Sequence, residues 1–197
     1  MTRILGISGS MREGSVTRRL VHHALSSAEK CGASIELLDL RQVILPVFNA
    51  DLDYDKDENV ARVIQMFDEA DAFILGSPEY HGCMSGATKN LLDFLYREIA
   101  GKVFGLISGT GGSQGVGCFD NMRAAIQYCH GWVLPYNVSA TGRDFDSERK
   151  LSNPKVIDRL DRLGRDVTIY GPVLRGQFQQ DINQPSTDPP GFAHWSA

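Results

Sequence analysis

The sequence predicts an α/β fold in which an open, parallel, doubly wound sheet is covered by helices on both faces. Short apolar runs such as Ala72-Phe73-Ile74-Leu75 alternate with longer amphipathic segments along most of the chain. These runs are continuously apolar, as strands buried on both faces must be. The segments after three of them are also rich in glycine and hydroxyl residues and longer than a simple turn requires, as loops at the carboxyl edge of such a sheet are when they hold a ligand.

The first strand is read at Ile4, Leu5 and Ile7, and the first helix follows Ser15, an apt N-cap, with Leu20, Val21, Ala24 and Leu25 on one face. Ile35 to Leu40 forms the second strand, and a loop with Pro46, Asp51, Asp53 and Asp55 leads to a helix near Asn59 to Ala70. Ala72 to Gly76 is the third strand, wholly apolar and therefore central. Gly82 to Gly86 leads into a helix carrying Leu91, Leu92, Phe94 and Leu95. Val103 to Ile107 is the fourth strand, Met122 to Cys129 a helix, Trp132 through Val138 the fifth strand, and Pro154 to about Tyr170 the last helix. Five strands alternating with five helices fit a flavodoxin-like doubly wound five-stranded parallel sheet of order 2-1-3-4-5 with right-handed crossovers.

At 197 residues and 42% hydrophobic content, the chain is long enough for one sizeable core. We divide it into a domain over 1–176 and a C-terminal extension over 177–197, whose Pro185, Pro189, Pro190, Phe192 and Trp195 suit an ordered arm or a loose terminus, exposed Phe192 and Trp195 being costly unless they pack on something. The net charge of -4, with no basic tract, argues against nucleic acid as a partner. No apolar run approaches the roughly 18 residues of a membrane span, and the opening enters a strand rather than a signal peptide, so a cytoplasmic protein is expected. Cys31, Cys83, Cys118 and Cys129 form no C-x-x-C pair and the histidines no ligand spacing, so no metal site is expected.

The loop from Gly9 to Ser15 suits an anion. Gly9 and Gly14 allow tight backbone geometry, the first amides of the helix are unpaired, Ser10, Ser15 and Thr17 offer hydroxyls, and Arg12 offers a charged fork. Neither the G-x-G-x-x-G spacing nor a following G-K-[ST] is present, which disfavours a Rossmann or Walker site and leaves a phosphate monoester. The plainer alternative is a strand-to-helix turn with Arg12 in solvent. After the third strand comes Ser77-Pro78-Glu79-Tyr80-His81-Gly82, and after the fourth Ser108-Gly109-Thr110-Gly111-Gly112-Ser113-Gln114-Gly115. Fixed backbone at Pro78, flat polar-edged rings at Tyr80 and His81, and a glycine loop that permits close approach suit a planar, amide-rich ring such as an isoalloxazine.

These segments, together with Ser85-Gly86-Ala87-Thr88-Lys89-Asn90-Leu91-Leu92-Asp93, resemble the NAD(P)H-dependent FMN reductases, a family that includes chromate, quinone and azo-dye reductases. The resemblance implies FMN phosphate at Ser10, Arg12, Ser15, Val16 and Thr17, and the isoalloxazine against Pro78, Glu79, Tyr80 and His81. It implies that Ser108, Gly111 and Gly112 border the ring and the nicotinamide position. NADPH or NADH would be the co-substrate, small-molecule acceptors the partners, and a homodimer or homotetramer the assembly. Since the cofactor carries the difficult step, no side chain is nominated as a general base or other catalytic residue. Lys89, Asn90 and Asp93 are read as structural, and His81 stands where relatives often have Asn. The alternatives are a flavodoxin-type electron carrier without NAD(P)H oxidation and a phosphate-binding module without redox chemistry.

Overall fold

A computed structural model describes residues 1–196; the side chain of Trp195, which the sequence reading expects to pack, lies outside what is described. The strands are β1 (Arg3–Ser8), β2 (Ser34–Asp39), β3 (Ala72–Tyr80), β4 (Cys83–Met84), β5 (Val103–Gly109) and β6 (Trp132–Ala140). The helices are α1 (Val16–Lys30), α2 (Glu58–Glu69), α3 (Gly86–Asp93), α4 (Val116–Tyr128), α5 (Pro154–Asn183) and α6 (Ala193–Ser196). The main sheet runs β2-β1-β3-β5-β6 with every pairing parallel, so the long strands keep the expected 2-1-3-4-5 order. The short β4 is an addition, paired antiparallel to the end of β3.

Alternation along the strands sorts the core into two layers. Leu5, Ile7, Phe73, Leu75, Phe104 and Leu106 face the layer roofed by α2 and α4. Ile4, Ala72, Ile74, Val103 and Ile107 face the layer formed with α1 and α5. A sheet apolar on both faces needs helices on both, which is the physical content of the doubly wound arrangement. Edge strand β6 carries Pro135, and its register on β5 shifts between Phe104 and Leu106, as expected where a residue without an amide interrupts a ladder.

Several boundaries differ from the sequence reading. β3 runs on through Ser77, Pro78, Glu79 and Tyr80, so these residues are strand rather than loop. His81 and Gly82, at φ 52° and 75°, then form the two-residue turn of a β3–β4 hairpin, where positive φ at both central positions matches strand twist. α4 starts at Val116 rather than Met122, its N-cap Gly115 lying at φ 76°. The last helix does not stop near Tyr170 but continues to Asn183, with Pro172 inside it.

Tertiary packing carries the helix past that proline. Gly171 sits close against Ala72, and Phe178 is buried over Gly101, at 5% exposure. The extension then turns back so that the Phe192 ring lies 5.5 Å from that of Phe178 and 5.8 Å from that of Trp132. The aromatic residue of the arm thus packs on its own chain. Replacing Phe178 by Ala should lower unfolding free energy by about 3 kcal/mol in urea titration; unchanged stability would show that the extension adds nothing to the fold.

Lys102 is buried at the end of α2, where its Nζ donates to the carbonyls of Phe67 at 2.5 Å and Asp68 at 3.1 Å. Burial, with Arg175 nearby, pulls its pKa from 10.5 down to about 8. Between those values the unfolded chain keeps a proton that the folded chain has released, so stability should rise with pH across that window. Relative to Lys102→Met, the native protein should gain up to about 3 kcal/mol from pH 8 to 10.5; parallel pH profiles would refute this.

Candidate functional site

The carboxyl ends of β1, β3 and β5 stand side by side, and the segments leaving them converge at the switch point between β1 and β3. A cluster of buried hydroxyls joins them. The Ser85 amide donates to Ser77 Oγ at 2.9 Å, Ser85 Oγ donates to the Gly9 carbonyl at 2.7 Å, and the Gly9 amide donates to the Gly76 carbonyl at 2.8 Å. Thr88 Oγ1 closes the cluster, 3.1 Å from Ser77 Oγ and 2.9 Å from Ser85 Oγ. Ser85 is also the N-cap of α3, accepting from the Thr88 amide. Any side chain at Gly9 would collide with Thr88 Oγ1, so the tight approach of the first loop to α3 requires glycine there.

The first loop leaves groups free for an anion. Ser15 Oγ caps α1 by accepting from the Arg18 amide at 3.0 Å, which leaves its O–H available to donate. The amides of Val16 and Thr17 lie in the first turn of α1 and have no helical carbonyl to bond. Ser10 is buried with its Oγ 3.4 Å from the Arg12 amide, and Arg12 itself is exposed, with no ion pair among the described residues. Arg18, not Arg12, braces the loop: its guanidinium pairs with Asp39 at 3.0 Å and donates to the Glu13 carbonyl at 2.5 Å. The Thr17 side chain is buried against Gly76 and Gly109, so only its backbone faces the loop.

The hairpin and the glycine loop form the other wall. Pro78 is buried, Glu79 half-buried, and Tyr80 and His81 exposed at its tip, with Tyr80 at 46% exposure. Ser113 Oγ donates to the Glu79 carboxylate and thereby links the glycine loop to the hairpin. Gly117 lies so close to the Gly82 carbonyl that a Cβ there would clash, which locks the start of α4 onto the turn. Gly111 and Gly112 open onto free space, leaving backbone accessible to a ligand. Ser108 behaves differently: its Oγ is buried beside the Cys118 thiol, so the residue can meet the crevice only through its backbone. Burial pushes that thiol above its ordinary pKa, partly offset by the Ser108 and Ser77 hydroxyls, so Cys118 stays protonated at neutral pH.

Of the residues singled out from the sequence, Ser10, Arg12, Ser15, Val16 and Thr17 gather at the α1 start, Pro78 to His81 form the end of β3 and its turn, and Gly111 and Gly112 lie in the loop after β5. Lys89 pairs with Asp93, while Asn90 donates to the Pro46 carbonyl and accepts from the Phe48 amide, each at 2.8 Å. Sequence reasoning gave no role to Ser77, Ser85 and Thr88, although the Ser-Gly-Ala-Thr spacing, with hydroxyls at N-cap and third helical position, was a readable sign.

The model of the NADPH-dependent FMN reductase family matches residues 2–146, a span that contains all three segments. An NAD(P)H-dependent FAD/FMN reductase of Geobacillus thermodenitrificans is 28% identical over 169 residues, 84% of this chain and 91% of that one. An FMN-dependent NADPH-azoreductase of Staphylococcus saprophyticus is 30% identical over 146 residues, 71% of this chain and 77% of that one. Among solved structures, the NAD(P)H:acceptor oxidoreductase FerB of Paracoccus denitrificans superposes with a TM-score of 0.74 at 19% identity, over 88% of this chain and 99% of that one, a likeness of fold. With a family match over most of its length and the crevice built from the matched segments, the chain belongs to the NADPH-dependent FMN reductases, enzymes that draw electrons from NAD(P)H.

Proposed function

We propose that the chain binds FMN in the crevice and uses it to pass electrons from NAD(P)H to small acceptors. The observation that carries this reading is the α1 start, where unpaired amides, two serine hydroxyls and an unpaired arginine meet beside an open glycine-backed wall. The amides of Val16 and Thr17 with Ser10, Ser15 and Arg12 would hold the phosphate, and Pro78, Glu79, Tyr80, His81, Ser108, Gly111 and Gly112 would border the ring. FMN supplies a centre that accepts a hydride and passes electrons on. The protein would contribute position and electrostatics: Tyr80 and His81 would stand beside the ring, and the exposed backbone of Gly111 and Gly112 would offer amides to developing negative charge.

Donor and acceptor would take turns at this crevice, in ping-pong order. Free flavin, quinones, azo dyes and chromate are the proposed acceptors; relatives are named as azoreductases and quinone oxidoreductases. We assign FMN binding to 1–176, treat 177–197 as an extension that braces it, and propose a cytoplasmic homodimer or homotetramer. No described helix is long and apolar enough to cross a membrane. A flavodoxin-type carrier is set aside because the named relatives oxidise NAD(P)H.

Arg12→Ala removes a charge-assisted contact and should weaken FMN binding about ten- to a hundredfold in fluorescence titration of apoprotein; unchanged affinity would reject its phosphate role. Anaerobic NADPH should bleach the flavin colour of the purified protein without any added reductase, whereas persistent colour would favour the carrier.

A further inference from the structure

Against the phosphate loop lies a cleft of about 400 Å3 that shares Arg12 and Val16 with the proposed flavin phosphate site and extends beyond it to Arg19, Phe145 and Arg149. Arg12, Arg19 and Arg149 wall it, with Gly14 and Val16 on the loop side and Phe145 opposite. None of these arginines has a carboxylate within 4.0 Å among the described residues, although the chain carries a net charge of -4. The lining carboxylate, Asp146, accepts the Lys150 amide at 2.8 Å.

The fold places the Arg19 guanidinium and the Arg149 backbone. Arg19 stacks with its Cζ 5.8 Å from the Phe145 ring centroid. Arg149 stands at φ 61° in a short hairpin closed by the Phe145–Leu151 bridge and by Asp146 and Lys150 backbone bonds. Its Nη1 would stand 3.5 Å from a Cβ on Gly14, ordinary van der Waals contact, so the guanidinium lies against the loop. The start of α1 adds its own partial positive charge. Converging cations without counter-charges repel one another, and the arrangement is relieved when an anion binds.

One flavin phosphate on the first-turn amides and Arg12 leaves Arg19 and Arg149 uncompensated. Resting on that FMN reading, we infer that the cleft is a second phosphate subsite, one that takes a further phosphate of an adenine dinucleotide. The cleft shares Arg12, Gly14 and Val16 with the first site, so the two phosphates are neighbours. The source is either the AMP half of FAD, continuing from the flavin phosphate, or the phosphates of NADPH. Arg149 lies just beyond residues 2–146, the span that matches the family model.

The test uses Arg149→Gly, which suits the left-handed backbone, and Arg19→Gln, singly and combined, after equal melting temperatures are verified. Apoprotein is titrated with FMN and with FAD, and KM is measured for NADPH and NADH. The inference expects an unchanged FMN Kd with a rise of about tenfold or more in either the FAD Kd or the NADPH KM. A rise for FAD assigns the subsite to the AMP half, for NADPH alone to the 2′-phosphate, and for NADPH and NADH together to the pyrophosphate. No change in any of these overturns the inference, as does a loss of FMN affinity by the same factor, which would place the arginines in the flavin phosphate site. Wild-type apoprotein that does not bind FMN overturns the flavin reading and this inference with it, so that titration tells the two failures apart.

Discussion

The crevice depends on a small set of buried hydroxyls. Ser77, Ser85 and Thr88 share hydrogen bonds at 2.9 to 3.1 Å beneath the carboxyl ends of β1 and β3, and through the Gly9 carbonyl they fix the path of the first loop. Hydrogen bonds in such a dry setting are costly to leave unmade, so the cluster stands or falls as a unit. Loop, hairpin and α3 are therefore placed together, and a ligand meets a wall already formed instead of one it must order.

Close packing of helix on sheet sets the depth of that wall. Gly76 faces Thr17 and Val21 of α1 and Gly109 faces Thr17, and a Cβ at either position would collide with them. The absence of side chains lets the start of α1 settle between the ends of β3 and β5, bringing its unpaired amides to the crevice. Gly117 does the same for α4 against the hairpin turn. These three glycines thus make room for neighbouring atoms of α1 and of the hairpin turn.

Much of this was legible in the sequence because apolar runs and helical faces obey simple periodicities. The strand order, the two-sided core and the Ser15 cap at the start of α1 follow from residues such as Leu5, Ile74 and Ser15, whose local pattern agrees with their final surroundings. What escaped depends on distant contacts. β3 continues past Gly76 because β5 pairs with Ser77 and Pro78 and β4 pairs with Glu79 and Tyr80, none of which is visible in a run that turns polar. α5 continues through Pro172 because Phe178 finds Gly101, residues far apart in the chain. The side chains of Thr17 and Ser108 look available in a motif but are buried in packing, a distinction only the fold can make.

The most direct test of the account is a crystal structure of the protein with FMN. The account predicts the phosphate on the amides of Val16 and Thr17 beside Ser10 and Arg12, with one ring face against the hairpin of Pro78 to His81 and the other open. A flavin bound elsewhere, or a ring with both faces covered by the protein's own side chains, would contradict it.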